Sequence, residues 1–254
     1  MLTRAALVEL VRAAVEPLPV ARALWEGGST SFGRTDAWSD VDLSLVVADE
    51  PAAADAAFAA VERALARGAP VELEYRVPEP AWHGHSQRFY RFVGAPKWLL
   101  LDLAVMRRGD FLVQPEVHGR ARVLFDRAGV LASVPPVDVA ALRAALPARV
   151  AALAARFEMF QILVQKEVWR GQPLDALNFY RGLTLAPLTE LLRLVHDPER
   201  AHFGGRYLHR VLPPDAAARL SRLSFVGAPE ELLERHAEAV AWFRELSAAG
   251  GRAG

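Results

Sequence analysis

The spacing of apolar positions divides the chain into two parts of different character. In the first part, short apolar runs bounded by glycine, proline or polar residues predict β-strands, and apolar residues three and four apart predict helices. From about Val137 onward, alanine and leucine recur at helical spacing, with glycine and proline between the segments. The pattern therefore predicts a mixed α/β domain over 1–135 and an α-helical domain over 136–254.

The first part begins with an amphipathic helix over residues 1–20, and a second helix is predicted over Pro51–Arg67, where Gly68 would be its C-cap. No period is visible over Pro78–Pro96, which we expect to be a loop over a pocket. Trp82, Phe89 and Tyr90 in this segment could stack on an adenine or a sugar ring, or fill core. The predicted strands are Ala21–Trp25, Val41–Val47, Val71–Val77, Lys97–Arg107 and Arg122–Phe125.

Composition and charge narrow the possible functions. The 30 basic and 30 acidic residues cancel, so the chain has no net positive field for a nucleic-acid backbone, and nucleic acid is not expected as a partner. The absence of cysteine excludes disulfides, thiolate metal sites and cysteine nucleophiles. Charged residues interrupt the first helix, so it is not a signal peptide or a membrane span. A cytoplasmic protein without a membrane partner is expected.

Two aspartates and a glycine-serine turn suggest phosphate chemistry. Asp40 and Asp42 are two residues apart, so in a strand both carboxylates would project from one face. Two such charges tolerate each other if a hard cation lies between them, and magnesium is the natural candidate. Asp102, a carboxylate within an apolar strand pattern, offers a third ligand. The turn at Gly28 and Ser29 would let backbone amides and a hydroxyl approach a triphosphate.

The same residues resemble a known signature. Gly28-Ser29, then Gly33, then Ser39-Asp40-Val41-Asp42-Leu43 is similar to the motif of the DNA polymerase beta-type nucleotidyltransferase superfamily. Within it the chain most resembles the bacterial antibiotic branch, which includes aminoglycoside and lincosamide nucleotidyltransferases. The similarity covers roughly Ala21–Phe125, and Lys166–Gly171 resembles a helix end of that branch. One departure is Phe32, where the family often has arginine or a small residue.

The resemblance implies a nucleotidyltransferase core with a mixed β-sheet flanked by helices, followed by a C-terminal helical bundle. It implies transfer of a nucleoside monophosphate, with ATP expected as donor, to a hydroxyl of a small-molecule acceptor such as an aminoglycoside-type antibiotic. Two Mg²⁺ ions and pyrophosphate release belong to that mechanism. The implied residue roles are triphosphate binding by Gly28, Ser29 and Lys166, and metal binding by Asp40, Asp42 and Asp102, with Asp102 either a metal ligand or the base that takes the acceptor proton.

Other interpretations remain open at this stage. The acceptor could be a protein side chain, which would make the protein an AMPylating enzyme, or the chain could be a silent relative that only binds nucleotide. Asp102 could instead pair with a nearby arginine or lysine, and Lys166 could lie on a solvated helix face. Glu158 and Glu167 are candidate contacts for a polycationic acceptor. The sequence does not determine the acceptor or the oligomeric state.

Overall fold

The computed structural model describes residues 2–81, 83–107, 115–127 and 129–250. The chain forms two compact units, Met1–Val137 and Asp138–Gly254, so the division lies two residues beyond the expected one. Each unit has an apolar core of its own.

The first unit contains a mixed β-sheet. In the described part of the chain six strands pair in the order β3-β4-β5-β2-β1-β6, in which β2 and β5 are parallel and the other neighbours antiparallel. The predicted mixed sheet flanked by helices is confirmed. The strands are β1 Ala21–Glu26, β2 Val41–Val47, β3 Val71–Arg76, β4 Ser86–Phe92, β5 Leu101–Arg107 and β6 Arg122–Asp126, and the helices are α1 Arg4–Val15, α2 Gly28–Ser31, α3 Ala53–Gly68 and α4 Pro115–His118, with a 3₁₀ turn at Leu131–Ser133.

Side-chain alternation gives the central strands two different faces. Leu43 and Leu45 of β2, with Leu103 of β5, point to one face and are buried against α1 and α3. Asp42 and Asp102 occupy the opposite face. Toward the far ends of β2 and β5, that opposite face carries a smaller apolar cluster shared with β1. The alternation therefore leaves the two carboxylates on the face that α1 and α3 do not cover.

The segment Pro78–Pro96 is not the expected loop, because it contains β4. The core-facing side of β4 carries Arg88, Tyr90 and Phe92. Because arginine is charged, the sequence shows no apolar alternation in this strand. The Arg88 guanidinium lies 3.9 Å from the centre of the Phe58 ring, so its stem lies along the core while its charge pairs with Glu62. Trp82 lies outside the described residues.

The second unit is helical, as predicted. Its core includes Phe157 of the first helix and Phe243 of the last, whose rings stack with centroids 3.7 Å apart. None of the described helices is long and apolar enough to span a bilayer. The helices are α5 Val139–Trp169, α6 Pro173–Phe179, α7 Ala186–His196, α8 Leu208–Val211, α9 Pro214–Ser224 and α10 Leu232–Gly250, with a π-helical turn at Tyr180–Leu185 and 3₁₀ turns at Pro198–Phe203 and Pro229–Glu231.

Candidate active site

The glycine turn after β1 packs against Asp42 of β2. The Gly27 N–H donates to the Asp42 carbonyl oxygen at 2.9 Å, which holds the turn beside that residue. Gly28 has a φ of +54°, and a Cβ atom there would lie 1.7 Å from Asp42 Oδ2. Because any side chain would collide with the carboxylate, the close approach requires glycine on two grounds. The structure thus brings Gly28 and Asp42 together.

Ser29 presents an unsatisfied hydroxyl next in the chain. Its Oγ is buried, and among the described residues it has no hydrogen-bond partner. Buried polar atoms nearly always have a partner, so an orphaned hydroxyl calls for a ligand or an ordered water. A hydroxyl can donate to a phosphate oxygen. The phosphate-binding role expected for Ser29 stays a prediction.

The two strand aspartates lie side by side. Asp42 of β2 pairs in register with Asp102 of the parallel strand β5, on the same face of the sheet and about 5 Å apart in the strand-to-strand direction. Both residues are half-buried. The Gln87 amide donates to Asp102 Oδ1 at 2.6 Å. The result is a pair of neighbouring carboxylates, one of which is oriented by an amide.

Asp40 directly precedes β2 and is not part of the strand. β2 begins at Val41, so strand alternation does not fix the direction of the Asp40 side chain. The Asp40 main-chain carbonyl accepts from Arg4 Nε at 2.8 Å. Within the described part of the chain, no group of three or more histidine, cysteine or acidic side chains is placed to hold a metal ion. The metal-binding role of Asp40 stays a prediction.

The donor set nevertheless fits magnesium. Mg²⁺ is commonly held by one or two carboxylates, with substrate phosphates and waters completing its octahedron, and a closed cage of protein ligands is not needed. Asp42 and Asp102 supply the two carboxylates. The Gly28 backbone lies beside the Asp42 carboxylate, and the neighbouring Ser29 hydroxyl has no partner within the described residues. This site therefore suits a cation that arrives together with a triphosphate.

A buried ion cluster that sequence reasoning missed supports the turn. Glu26, at the end of β1, is only 1% exposed, and it accepts from Arg4 at 2.7 Å, from Arg122 at 3.0 Å and from the Thr30 hydroxyl at 2.9 Å. Because Arg4 also donates to the carbonyl of Asp40, the cluster links α1, β1, α2 and the entrance to β2. The sequence signal that could have indicated this cluster is a glutamate at the end of an apolar run, directly before two glycines.

Two more contributors were missed for different reasons. Gln87 was hidden because β4 itself was not predicted. Gly119 packs against the end of α2, and a Cβ on it would lie 2.6 Å from the Ser31 carbonyl oxygen. No local signal in the sequence marks that approach, because it joins segments far apart in the chain.

Several predicted contacts lie in the second unit. Lys166 is half-buried in the last turn of α5, and its phosphate contact stays a prediction. Glu158 accepts from Arg244 at 2.8 and 2.6 Å, and this hydrogen bonding lowers the pKa of the Glu158 carboxyl. Glu167 is buried and pairs with Arg170. Both glutamates thus already have arginine partners.

Comparison with known proteins gives only distant similarities. No family model matches the chain, and no curated protein sequence matches it. It is similar to an aminoglycoside 6-adenyltransferase from Bacillus subtilis, with 14% identity and a TM-score of 0.42 over 98% of this chain and 90% of that chain. It is similar to a spectinomycin adenyltransferase from Enterococcus faecialis, solved with ATP and spectinomycin, with 9% identity and a TM-score of 0.33 over 98% of both chains.

A third similarity is to a CD-NTase from Bradyrhizobium diazoefficiens in complex with GTP, with 13% identity and a TM-score of 0.26 over 95% of this chain and 72% of that chain. At such identities and TM-scores, the similarities do not fix the activity or the site residues of this chain.

Proposed function

We propose that the protein is a magnesium-dependent nucleotidyltransferase that moves a nucleoside monophosphate from an NTP, ATP in the first instance, to a hydroxyl of a small-molecule acceptor. The observation that carries the proposal is the contact of Gly28 with the Asp42 carboxylate, with Asp102 in register beside it. Because NTPs are supplied in the cytoplasm, the proposal implies that the protein acts there. An aminoglycoside-type antibiotic is one candidate acceptor.

In this proposal the Gly28–Ser29 turn holds the triphosphate. The Ser29 hydroxyl donates to a phosphate oxygen and so gains the partner it lacks within the described residues. The missing side chain at Gly28 lets the phosphates come close to Asp42. Lys166 of α5 is proposed as an additional cationic contact to the phosphates.

Asp42 and Asp102, joined by Asp40, would hold the magnesium ions. When bound, the two ions supply positive charge that neutralises the developing charge on the attacking and leaving oxygens. The task of the chain is to keep these carboxylates adjacent and oriented. The register of β2 with β5 and the Gln87 hydrogen bond meet that task for Asp42 and Asp102.

The chemical step is a displacement at the α-phosphorus. The acceptor oxygen forms a bond to that phosphorus while the bond to the oxygen bridging the α- and β-phosphates breaks, and pyrophosphate leaves with the electron pair. The acceptor hydroxyl loses its proton, either to Asp102 acting as base or, if Asp102 is a metal ligand, to water. The donation from Gln87 to Oδ1 orients the Asp102 carboxylate for either role.

Pyrophosphate release tests this proposal. The assay uses each of the four NTPs with Mg²⁺ against a panel of aminoglycosides, lincosamides and other hydroxyl compounds. We expect acceptor-dependent release that falls about 100-fold or more in Asp42→Asn, because a charge aimed at the transition state is removed. The control is Asp49→Asn, a 78% exposed aspartate just beyond the other end of β2, which should keep wild-type rates.

Two results would count against the proposal. Undiminished release by Asp42→Asn would show that this carboxylate does not serve the reaction. A wild-type protein that binds ATP and Mg²⁺ in calorimetry but releases no pyrophosphate with the panel would favour a protein acceptor or a nucleotide-binding protein without turnover. Mass spectrometry of proteins incubated with labelled ATP then separates those two cases.

A further inference from the structure

The sheet face that carries the aspartate pair continues toward one edge as an aromatic surface. Phe89 of β4 lies directly opposite Asp102, and Tyr75 of the edge strand β3 lies directly opposite Phe89. Cross-strand partners share a face, so Asp42, Asp102, Phe89 and Tyr75 form one row across four strands. At the usual strand spacing, Tyr75 is about 10 Å from Asp102.

This aromatic surface is open to solvent. Tyr75 is 56% exposed and Leu73, on the same face of β3, is 55% exposed, whereas Tyr90 on the opposite face of β4 is 1% exposed. The Tyr75 and Phe89 rings are tilted by 32° with centroids 6.2 Å apart, so they form a continuous apolar patch. A contiguous exposed apolar patch next to polar groups is a mark of a binding surface.

The direction of the proposed reaction assigns this surface to the acceptor, and the assignment rests on the proposed function. In an in-line displacement, the attacking and leaving oxygens lie on opposite sides of the phosphorus. Gly28 and Ser29 follow β1, which lies on the far side of β2 from β5, so the pyrophosphate leaves on the β1 side of the Asp42–Asp102 pair. The acceptor must then come from the side of β4 and β3.

We infer that Phe89 and Tyr75 form the acceptor platform, and that it takes a ring-shaped polyol such as a sugar or an aminocyclitol. The nucleophile must carry a hydroxyl, and the flat aromatic faces suit the C–H face of a saturated ring. Gln87 donates its amide hydrogen to Asp102, and its own carbonyl oxygen can accept from a hydroxyl of the ring. The Tyr75 hydroxyl adds a second polar contact.

Calorimetric binding of kanamycin, streptomycin and spectinomycin tests the inference without requiring turnover. The variants are Tyr75→Ala and Phe89→Leu, with Val123→Ala as the matched control, because Val123 is 50% exposed on β6 at the opposite edge of the sheet. We expect each platform variant to raise the Kd of the bound compound about 3- to 10-fold, in the range of a lost aromatic contact. The Kd of ATP and the unfolding midpoint should be unchanged.

Steady-state kinetics give the second readout. If a compound is adenylylated, the platform variants should raise its KM by the same factor and leave kcat and the KM of ATP within about twofold. Binding of a ring polyol that depends on Tyr75 without any turnover would leave a ring-binding surface at Phe89 and Tyr75, but it would remove the proposed function and with it the acceptor role of the platform.

Two outcomes overturn the inference. One is that no ring polyol of the panel binds the wild-type protein. The other is that binding is insensitive to Tyr75 and Phe89 but weakened by Trp38→Ala. Trp38 and Trp98 form a competing exposed aromatic pair, 68% and 49% exposed with ring centroids 4.8 Å apart.

Discussion

At the scale of single residues, Gly28 is under two separate constraints. Its positive φ is one that side-chain-bearing residues adopt at a cost of about 1 kcal/mol. Its contact with Asp42 Oδ2 leaves no room even for a methyl group. Gly94 shares the first constraint, with a φ of +70°, but a Cβ on it would meet nothing within 4 Å. Alanine substitutions at the two glycines therefore distinguish the cost of a positive φ from the effect of displacing the Asp42 carboxylate.

We predict that Gly28→Ala lowers pyrophosphate release about 100-fold or more, because the new methyl group moves the Asp42 carboxylate out of place. Gly94→Ala should lose about 1 kcal/mol of unfolding free energy and keep its activity. Initial rates and chemical denaturation of both variants check the prediction. Equal rates in the two variants would mean that the position of the Asp42 carboxylate does not limit the reaction.

At the scale of elements, the Glu26 cluster joins secondary structures that the chain keeps apart. The Arg4 side chain of α1 pairs with Glu26 at the end of β1 and donates to the Thr30 hydroxyl of α2 at 3.2 Å. It also donates to the main-chain carbonyl of Asp40, directly before β2. Glu26 is almost fully buried, so the loss of a partner leaves a buried charge less well compensated. The geometry of the glycine turn thus depends on a residue of the first helix.

We predict that Arg4→Met lowers the free energy of unfolding by about 2 kcal/mol, the range of a hydrogen bond to a charged group, while Arg122 still pairs with Glu26. The same change should raise the KM of the NTP, because the turn loses its support. Arg12→Met on the same helix removes only partly exposed pairs with Glu9 and Glu16 and should cost less than about 1 kcal/mol. Denaturation curves and NTP kinetics of both variants test this prediction. Equal changes in unfolding free energy and in the KM of the NTP would contradict the positioning role of Arg4.

At the scale of the whole molecule, a buried polar network makes stability depend on pH. Gln161 donates to the carbonyls of Phe157 and Leu183 at 2.9 Å each, and accepts from Thr184 at 2.7 Å and from His236 Nε2 at 3.0 Å. Leu183 and Thr184 belong to the π-helical turn. Burial, with a smaller effect of Arg244, lowers the pKa of His236 from 6.5 to about 4.

The sign of this pH effect follows from proton uptake. Between pH 6.5 and about 4 the unfolded chain binds a proton at His236 that the folded chain does not bind, so stability falls as the pH falls through this range. The difference of about 2.5 pKa units corresponds to about 3 kcal/mol. We predict that His236→Gln, which keeps a donor for Gln161, flattens the dependence. Denaturation at several pH values checks this, and an unchanged slope would contradict it.

The sequence by itself determined the features that depend on neighbours along the chain. The period of apolar residues predicted five of the six strands described and the helical second unit, because side-chain direction repeats every two residues in a strand and every 3.6 in a helix. The local motif identified Gly28, Ser29 and Asp42 as candidate site residues, and their roles remain predictions.

Tertiary structure alone decided the features that join distant segments. Strand β4 was not predicted because a charged residue, Arg88, occupies a core-facing position and breaks the apolar alternation. Its side-chain stem packs on Phe58 while its guanidinium pairs with Glu62. The register that sets Asp42 beside Asp102 arises from pairing between strands that are separated along the chain by α3, β3 and β4, and the register that sets Phe89 beside Asp102 arises from the pairing of β4 with β5. The Glu26 cluster likewise depends on α1 and β6 meeting at one strand end. Such contacts are fixed by packing and long-range hydrogen bonding, which leave no local period in the sequence.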